Sequence, residues 1–157
     1  CCDWSSDVCS SDLQIKILKQ YWLPILVGCT VGSAASMLSV YGMCRLFGLD
    51  ESLTVSLIPK SVTTPIAVSI AEPAGGVVPI TVVAVIGTGI LGSIIAPLLI
   101  RVFKVTDPMA AGLAIGASSH AVGTSKAIEL GEVEGAMSGL AIGVCGIITV
   151  LISMVIL

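Results

Sequence analysis

Two short runs set ionisable and hydroxyl side chains inside otherwise apolar sequence. Residues 52–71 carry Pro59, Lys60, Ser61, Thr63, Thr64 and Pro65 near their middle. Residues 108–128 carry Gly116, Ser118, Ser119, His120, Gly123, Thr124, Ser125 and Lys126. A lysine supplies positive charge and a hydroxyl supplies a neutral donor, so this mixture suits a small anion such as a carboxylate. A helix broken at such a run also exposes backbone N–H groups at the start of its second half, where the helix dipole adds partial positive charge. Lys60, Ser61, Thr63, Thr64, Pro65, Ser118, Ser119, His120, Thr124 and Lys126 are therefore the candidate substrate-binding residues. An ionisable group at membrane depth costs about 2.5–3.5 kcal/mol even on the milder insertion scale, which makes it a functional candidate by default. The plainer reading has Lys60 snorkelling or paired with Glu72, and Lys126 paired with Glu129. His120 is the single histidine, and its ordinary pKa of about 6.5 suits a proton carrier or, more plainly, a hydrogen-bonded structural residue.

The elements that must position these side chains are set by composition. The chain has 157 residues, 55% of them apolar and 11% charged, with a mean hydropathy of +1.09. Soluble domains carry about 25% charged residues, so the expected class is an all-α, polytopic helical membrane protein in contact with the lipid bilayer. Seven scattered Lys and Arg and 4% aromatics exclude a nucleic-acid partner. Residues 21–44, 77–100 and 135–157 are uncharged over 24, 24 and 23 positions, and about 20 helical residues cross a bilayer core. The two polar blocks are also long enough to cross, yet they place helix breakers where hydrocarbon would be. Irregular backbone is tolerated at that depth only when it is buried in protein or lines a wet cavity, so both blocks are expected to be broken or re-entrant helices.

The first thirteen residues, CCDWSSDVCSSDL, differ from the rest and have neither the basic start nor the apolar run of a secretory signal. They resemble a translated sequencing adapter and read as a foreign or disordered leader, with the domain expected over residues 14–157. The leader's Asp3, Asp7 and Asp12 account for the whole excess of ten acids over seven bases. No enzyme, cofactor or metal site is expected. There is no His/Cys cluster, phosphate loop or G-x-S-x-G, and the GTGILG run at Gly87 lies inside an apolar helix. Cys29, Cys44 and Cys145 lie far apart in sequence and read as packing residues.

A shift of 57 residues lays the two polar blocks on each other, matching Ile58 with Ile115, Ser61 with Ser118 and Glu72 with Glu129. Each block is followed by an acidic connector and a long glycine-bearing helix, which suggests a weak inverted repeat of the kind that places a transporter site near the midplane. Glu72 and Glu129 are the expected gating or capping residues; the alternative is that Glu129, Glu132 and Glu134 form a solvated connector. If both blocks are re-entrant, Lys16, Lys19, Arg101 and Lys104 share one side with Arg45 opposite, the arrangement that the positive-inside rule prefers.

The runs KSVTTPIA and ASSHAVGTSKAIELGEVEGAMSGLA, together with the sequence between them, resemble the core of the LrgB family, and the likeness extends back to about Ile15. The resemblance implies a multi-pass protein of the bacterial cytoplasmic membrane. It also implies an antiholin-like role in controlling murein hydrolase activity and lysis, together with a small LrgA- or CidA-type membrane partner. Relatives of that family tied to export of glycolate and glycerate, or to pyruvate uptake, imply secondary transport of small carboxylates. Family proteins carry further membrane segments ahead of the point where this chain begins, so it is expected to be a C-terminal fragment. Small residues recur through the apolar runs, as Gly28, Gly32 and Ser36 or Gly87, Gly92 and Ser93 show, a generic signal of close helix packing; a homo-oligomer is a further candidate partner.

Overall fold

The computed structural model describes the backbone of residues 4–156 and the side chains of residues 21–156. Every regular element in it is helical: α1 (Trp4–Leu46), α2 (Glu51–Leu57), a 3-10 turn (Ile58–Ser61), α3 (Thr64–Ala71), α4 (Val78–Val102), α5 (Pro108–Leu130) and α6 (Glu132–Ile156). Of the expected leader, residues 1–3 lie outside the described residues, and residues 4–13 fall in the first part of α1, whose side chains before Tyr21 also lie outside them. Three stretches are long and apolar enough to cross a membrane: Tyr21–Leu46, Val78–Val102 and Glu132–Ile156. At 1.5 Å per residue, the 25 residues of α4 reach about 37 Å, against about 30 Å of hydrocarbon. Val83, Ile94, Leu98, Ile147 and Leu151 stand well exposed along α4 and α6. Water would penalise such surfaces, and lipid would not. Thr88 and Ser93 on α4 bond back to carbonyls of their own helix, at Ala84 (2.7 Å) and Ile90 (2.8 Å), which satisfies these donors in an apolar surround. Pro24 lacks an N–H, and its ring crowds the preceding turn; the helix bends at Tyr21 (φ −120°, ψ 24°).

Both polar blocks fold back on themselves. A straight helix would separate residues 56 and 77 by about 30 Å, yet Val77 N–H donates to Ser56 Oγ at 2.6 Å. α2 and the 3-10 turn therefore form one arm of a hairpin and α3 the other, with Ser56 tying its base to the start of α4. The reversal is made by Pro59 (φ −81°, ψ 17°), then by extended Val62 and Thr63. Pro65 falls at the start of α3, where its missing N–H removes no helical bond. α3 then runs beside the second half of α6, with Ile66 against Gly146.

In α5 the reversal falls on His120 (φ 45°, ψ −134°). The first arm runs parallel to α6, with Gly112 beside Glu134 and Met137 and Gly116 beside Ser138 and Ala141. The second arm runs the opposite way, with Thr124 hydrogen-bonded to Ser138 (2.7 Å) and Ile128 against Gly135. Gly123 consequently lies against Ile115 and Ser119, although a straight helix would put residues 115 and 123 about 12 Å apart. The bases of the two hairpins sit at opposite ends of α4, and both tips reach mid-depth. A buried cluster of Ile25, Cys29, Met137, Ala141 and Cys145 joins α1 to α6 beside the second hairpin.

This arrangement predicts labelling that crossing helices would not give. In cysteine-replaced protein in sealed vesicles, cysteines at Glu51 and Ala74 are expected to react with an impermeant maleimide from one side, and cysteines at Thr106 and Glu132 from the other. Opposite sidedness within either pair would refute the hairpins.

Candidate functional site

The first-hairpin tip meets α1 and the second-hairpin tip meets α4. Ser61 Oγ and Ser36 Oγ share a hydrogen bond of 2.7 Å. On the other side, Ser119 is fully buried and packs where Gly92 of α4 has no side chain; a Cβ there would collide with its Oγ and approach its Cβ to 2.8 Å. Ser118 Oγ bonds the Ala114 carbonyl (2.8 Å) and lies 3.2 Å from Ser119 Oγ. The tips also face each other, because the main chain of Lys60 and Ser61 lies against the His120 imidazole.

Above this meeting point opens a cavity of about 1040 Å³. Lys60, Ser61, Ser36, Ser118, Ser119 and Gly92 line its polar end, and apolar side chains of α4 and α5 line the remainder out to Phe103 and Val105. Its mouth is thus at the end of α4 that carries Arg101 and Lys104. Lys60 is half-buried at the C-terminal end of the first arm, where unpaired carbonyls favour a cation. The single ion pair among the described residues is elsewhere, so Lys60 has no carboxylate partner there.

The ten candidate residues are thus divided. Lys60, Ser61, Ser118 and Ser119 meet at the cavity, with His120 buried behind them at 4% exposure. Thr124 turns inward to bond the His120 carbonyl (2.8 Å) and Ser138, bracing the second hairpin. Thr63 and Thr64 are half-buried and do not line the cavity, while Pro65 lines a separate cleft of about 580 Å³ between α3 and α6. The polar end of the cavity is therefore made by the ends of the first arms and not by the N-termini of the second. Lys126 is one to two turns down the second arm, 40% exposed, with its Nζ 2.5 Å from Glu129 Oε2; the structure does not bring it to Lys60. Glu72 is exposed and ends α3 through its backbone N–H to Val68.

Sequence reasoning passed over Ser36, Ser138 and Ser56 as site or bracing residues and read Gly92 as generic packing. Ser36 and Ser138 are hydroxyls in the middle of uncharged spans, a signal that could have marked them. Which hydroxyl meets which tip is visible only in three dimensions. The close fit at Gly92 gives a direct prediction. Gly92→Ala should lower the melting temperature in detergent by overpacking against Ser119, at a cost of about 1–3 kcal/mol. Gly87→Ala on the same helix meets nothing within 4 Å and should be neutral or stabilising by up to about 1 kcal/mol. Equal effects would mean that α4 and the tip are not in contact.

Residues 13–157 match the LrgB-like family. The antiholin-like protein LrgB of Bacillus mycoides (strain KBAB4) is 40% identical over 139 residues, a match covering 88% of this chain and 60% of that protein. The proteins of the same name from Bacillus cereus (strain B4264) and Bacillus anthracis (strain CDC 684 / NRRL 3495) match to the same extent. The chain thus spans about 60% of the length of these curated relatives. No solved structure matches. With a family match over nearly its whole length and three helices suited to a bilayer, this chain belongs to the LrgB-like family and is a membrane protein.

Proposed function

We propose that the protein is a multi-pass secondary transporter of small carboxylates in the bacterial cytoplasmic membrane, and that the anion binds at the polar end of the large cavity. The observation that carries this reading is Lys60, a half-buried cation without a carboxylate partner among the described residues, facing the cavity together with four serine hydroxyls. A carboxylate would supply the missing counter-charge, and Ser36, Ser61, Ser118 and Ser119 would donate to its oxygens. The cavity as a whole is larger than one small acid fills, so binding would be confined to its polar end, where the neighbouring apolar walls would receive a methyl or methylene group. Arg101 and Lys104 at the mouth would raise the local concentration of anions.

The name shared by the relatives favours a second reading, in which the protein tunes a holin-like membrane partner and so controls murein hydrolase activity and lysis. The two readings are compatible, since altered carboxylate flux would act on lysis indirectly.

Uptake of labelled pyruvate, glycolate and lactate into liposomes holding the full-length protein, with and without its small membrane partner, separates them. Saturable flux is expected for at least one acid. Lys60→Gln should lower its kcat/KM by about 10- to 100-fold, the effect of losing a charge-assisted hydrogen bond of about 1.5–3 kcal/mol. Lys126→Gln should change it little. Absence of saturable flux in both preparations would leave the regulatory reading.

A further inference from the structure

His120 carries two penalties at once. Its backbone (φ 45°, ψ −134°) lies in a region that residues with a Cβ rarely occupy, and its side chain is 4% exposed with Nε2 lacking a hydrogen-bond partner among the described residues. Strain of this kind persists only where surrounding structure enforces it, and it collects at switch regions. A buried unpaired nitrogen adds its own cost. Glycine would have made the same turn without strain, so turning the chain does not explain a histidine here.

Its position offers an explanation. The large cavity runs from the tips to the Arg101 and Lys104 end. The smaller cleft begins at Pro65 and Ile66 at the tip and runs along α3 to Pro73 and Ala74, with Ser69, Val150, Ser153 and Met154 on its walls. These two hollows approach from opposite ends of α4. Between them lies the meeting of the tips, where the imidazole packs against the Lys60 and Ser61 main chain.

We infer that His120 is the latch of a gate between the two hollows: its ring holds the hairpin tips together, and anion binding at Lys60 loosens that contact and joins the paths. This rests on the transport reading for the ligand, though not for the gate. His120 is a positioning residue here. Its orphan Nε2 adds no hydrogen bond to the closed tips, so an anion that binds at Lys60 and shifts that segment toward the cavity removes the surface on which the ring rests. The tips then part.

The test reads which side reaches Ser69, on the far wall of the smaller cleft. In full-length protein oriented in liposomes, with native cysteines replaced, Ser69→Cys is challenged with an anionic, impermeant methanethiosulfonate. Reagent applied on the Ala74 side should modify it, and reagent applied on the Arg101 side should not. His120→Gly removes the ring and accepts the backbone angle; His120→Asn keeps a short polar group that is too short to replace the ring. In both variants modification from the Arg101 side should rise about tenfold or more, the change that a shift of about 1.4 kcal/mol in the gate equilibrium produces. Pyruvate should produce a rise in the wild-type histidine background that Lys60→Gln abolishes. If folded Gly and Asn variants show wild-type sidedness, the latch is refuted, since a merely structural histidine would change stability and leave sidedness alone. Altered sidedness without carboxylate flux would keep the gate and remove the transport reading; flux with unaltered sidedness would do the reverse.

Discussion

Backbone N–H and C=O groups cannot be left bare in hydrocarbon, and the rest of this structure follows from how two interrupted helices meet that requirement. Each interruption frees polar groups at mid-depth. Each is placed where another part of the chain can cover it: the first tip against Ser36 of α1, the second against the Gly92 face of α4, and the two against each other. The long helices are accordingly walls. Their outer surfaces can be uniformly apolar because the polar chemistry has been moved to the hairpins between them.

The same requirement explains why so much of the fold was legible beforehand. Uncharged runs of more than 20 residues announce their own length and environment, and the three long helices lie where those runs are. Lysine set beside helix breakers and hydroxyls marked the other two blocks as broken, because an ionisable group there has no place on a lipid-facing helix; proline alone is no such mark, since Pro24 and Pro97 lie inside α1 and α4. Contact partners were less legible. Lys60 and Lys126 look equivalent in sequence, each a cation among hydroxyls. Only Lys126 has an acid three residues later on the same helical face, and that local pairing keeps it at the surface. Lys60 has no such neighbour in its own segment, so its surroundings are decided by chain reversal.

Local sequence also hides where a reversal falls. The first hairpin turns at Pro59 to Thr63, where a proline and extended residues advertise a break. The second turns at His120, with glycines four residues before and three after it and none at the turn itself. Glycine-based reasoning would have put the bend at Gly116 or Gly123. Those glycines do something else: Gly116 lets the first arm settle on Ser138 of α6, and Gly123 lets the two arms close on each other. Close approach, and not freedom of the backbone, is what glycine supplies in this hairpin.

The bond from Val77 to Ser56 fastens the first hairpin to α4, while Thr124 and the glycine contacts fasten the second to α6. The second hairpin meets α4 at Gly89 and Gly92, where Val122 and Ser119 seat in the space that α4 leaves open. The helix that separates the hairpin bases is thus also a socket: it fixes the lengthwise register of the second hairpin, because a shift along α4 would drive Ser119 out of the Gly92 notch and into a neighbouring side chain.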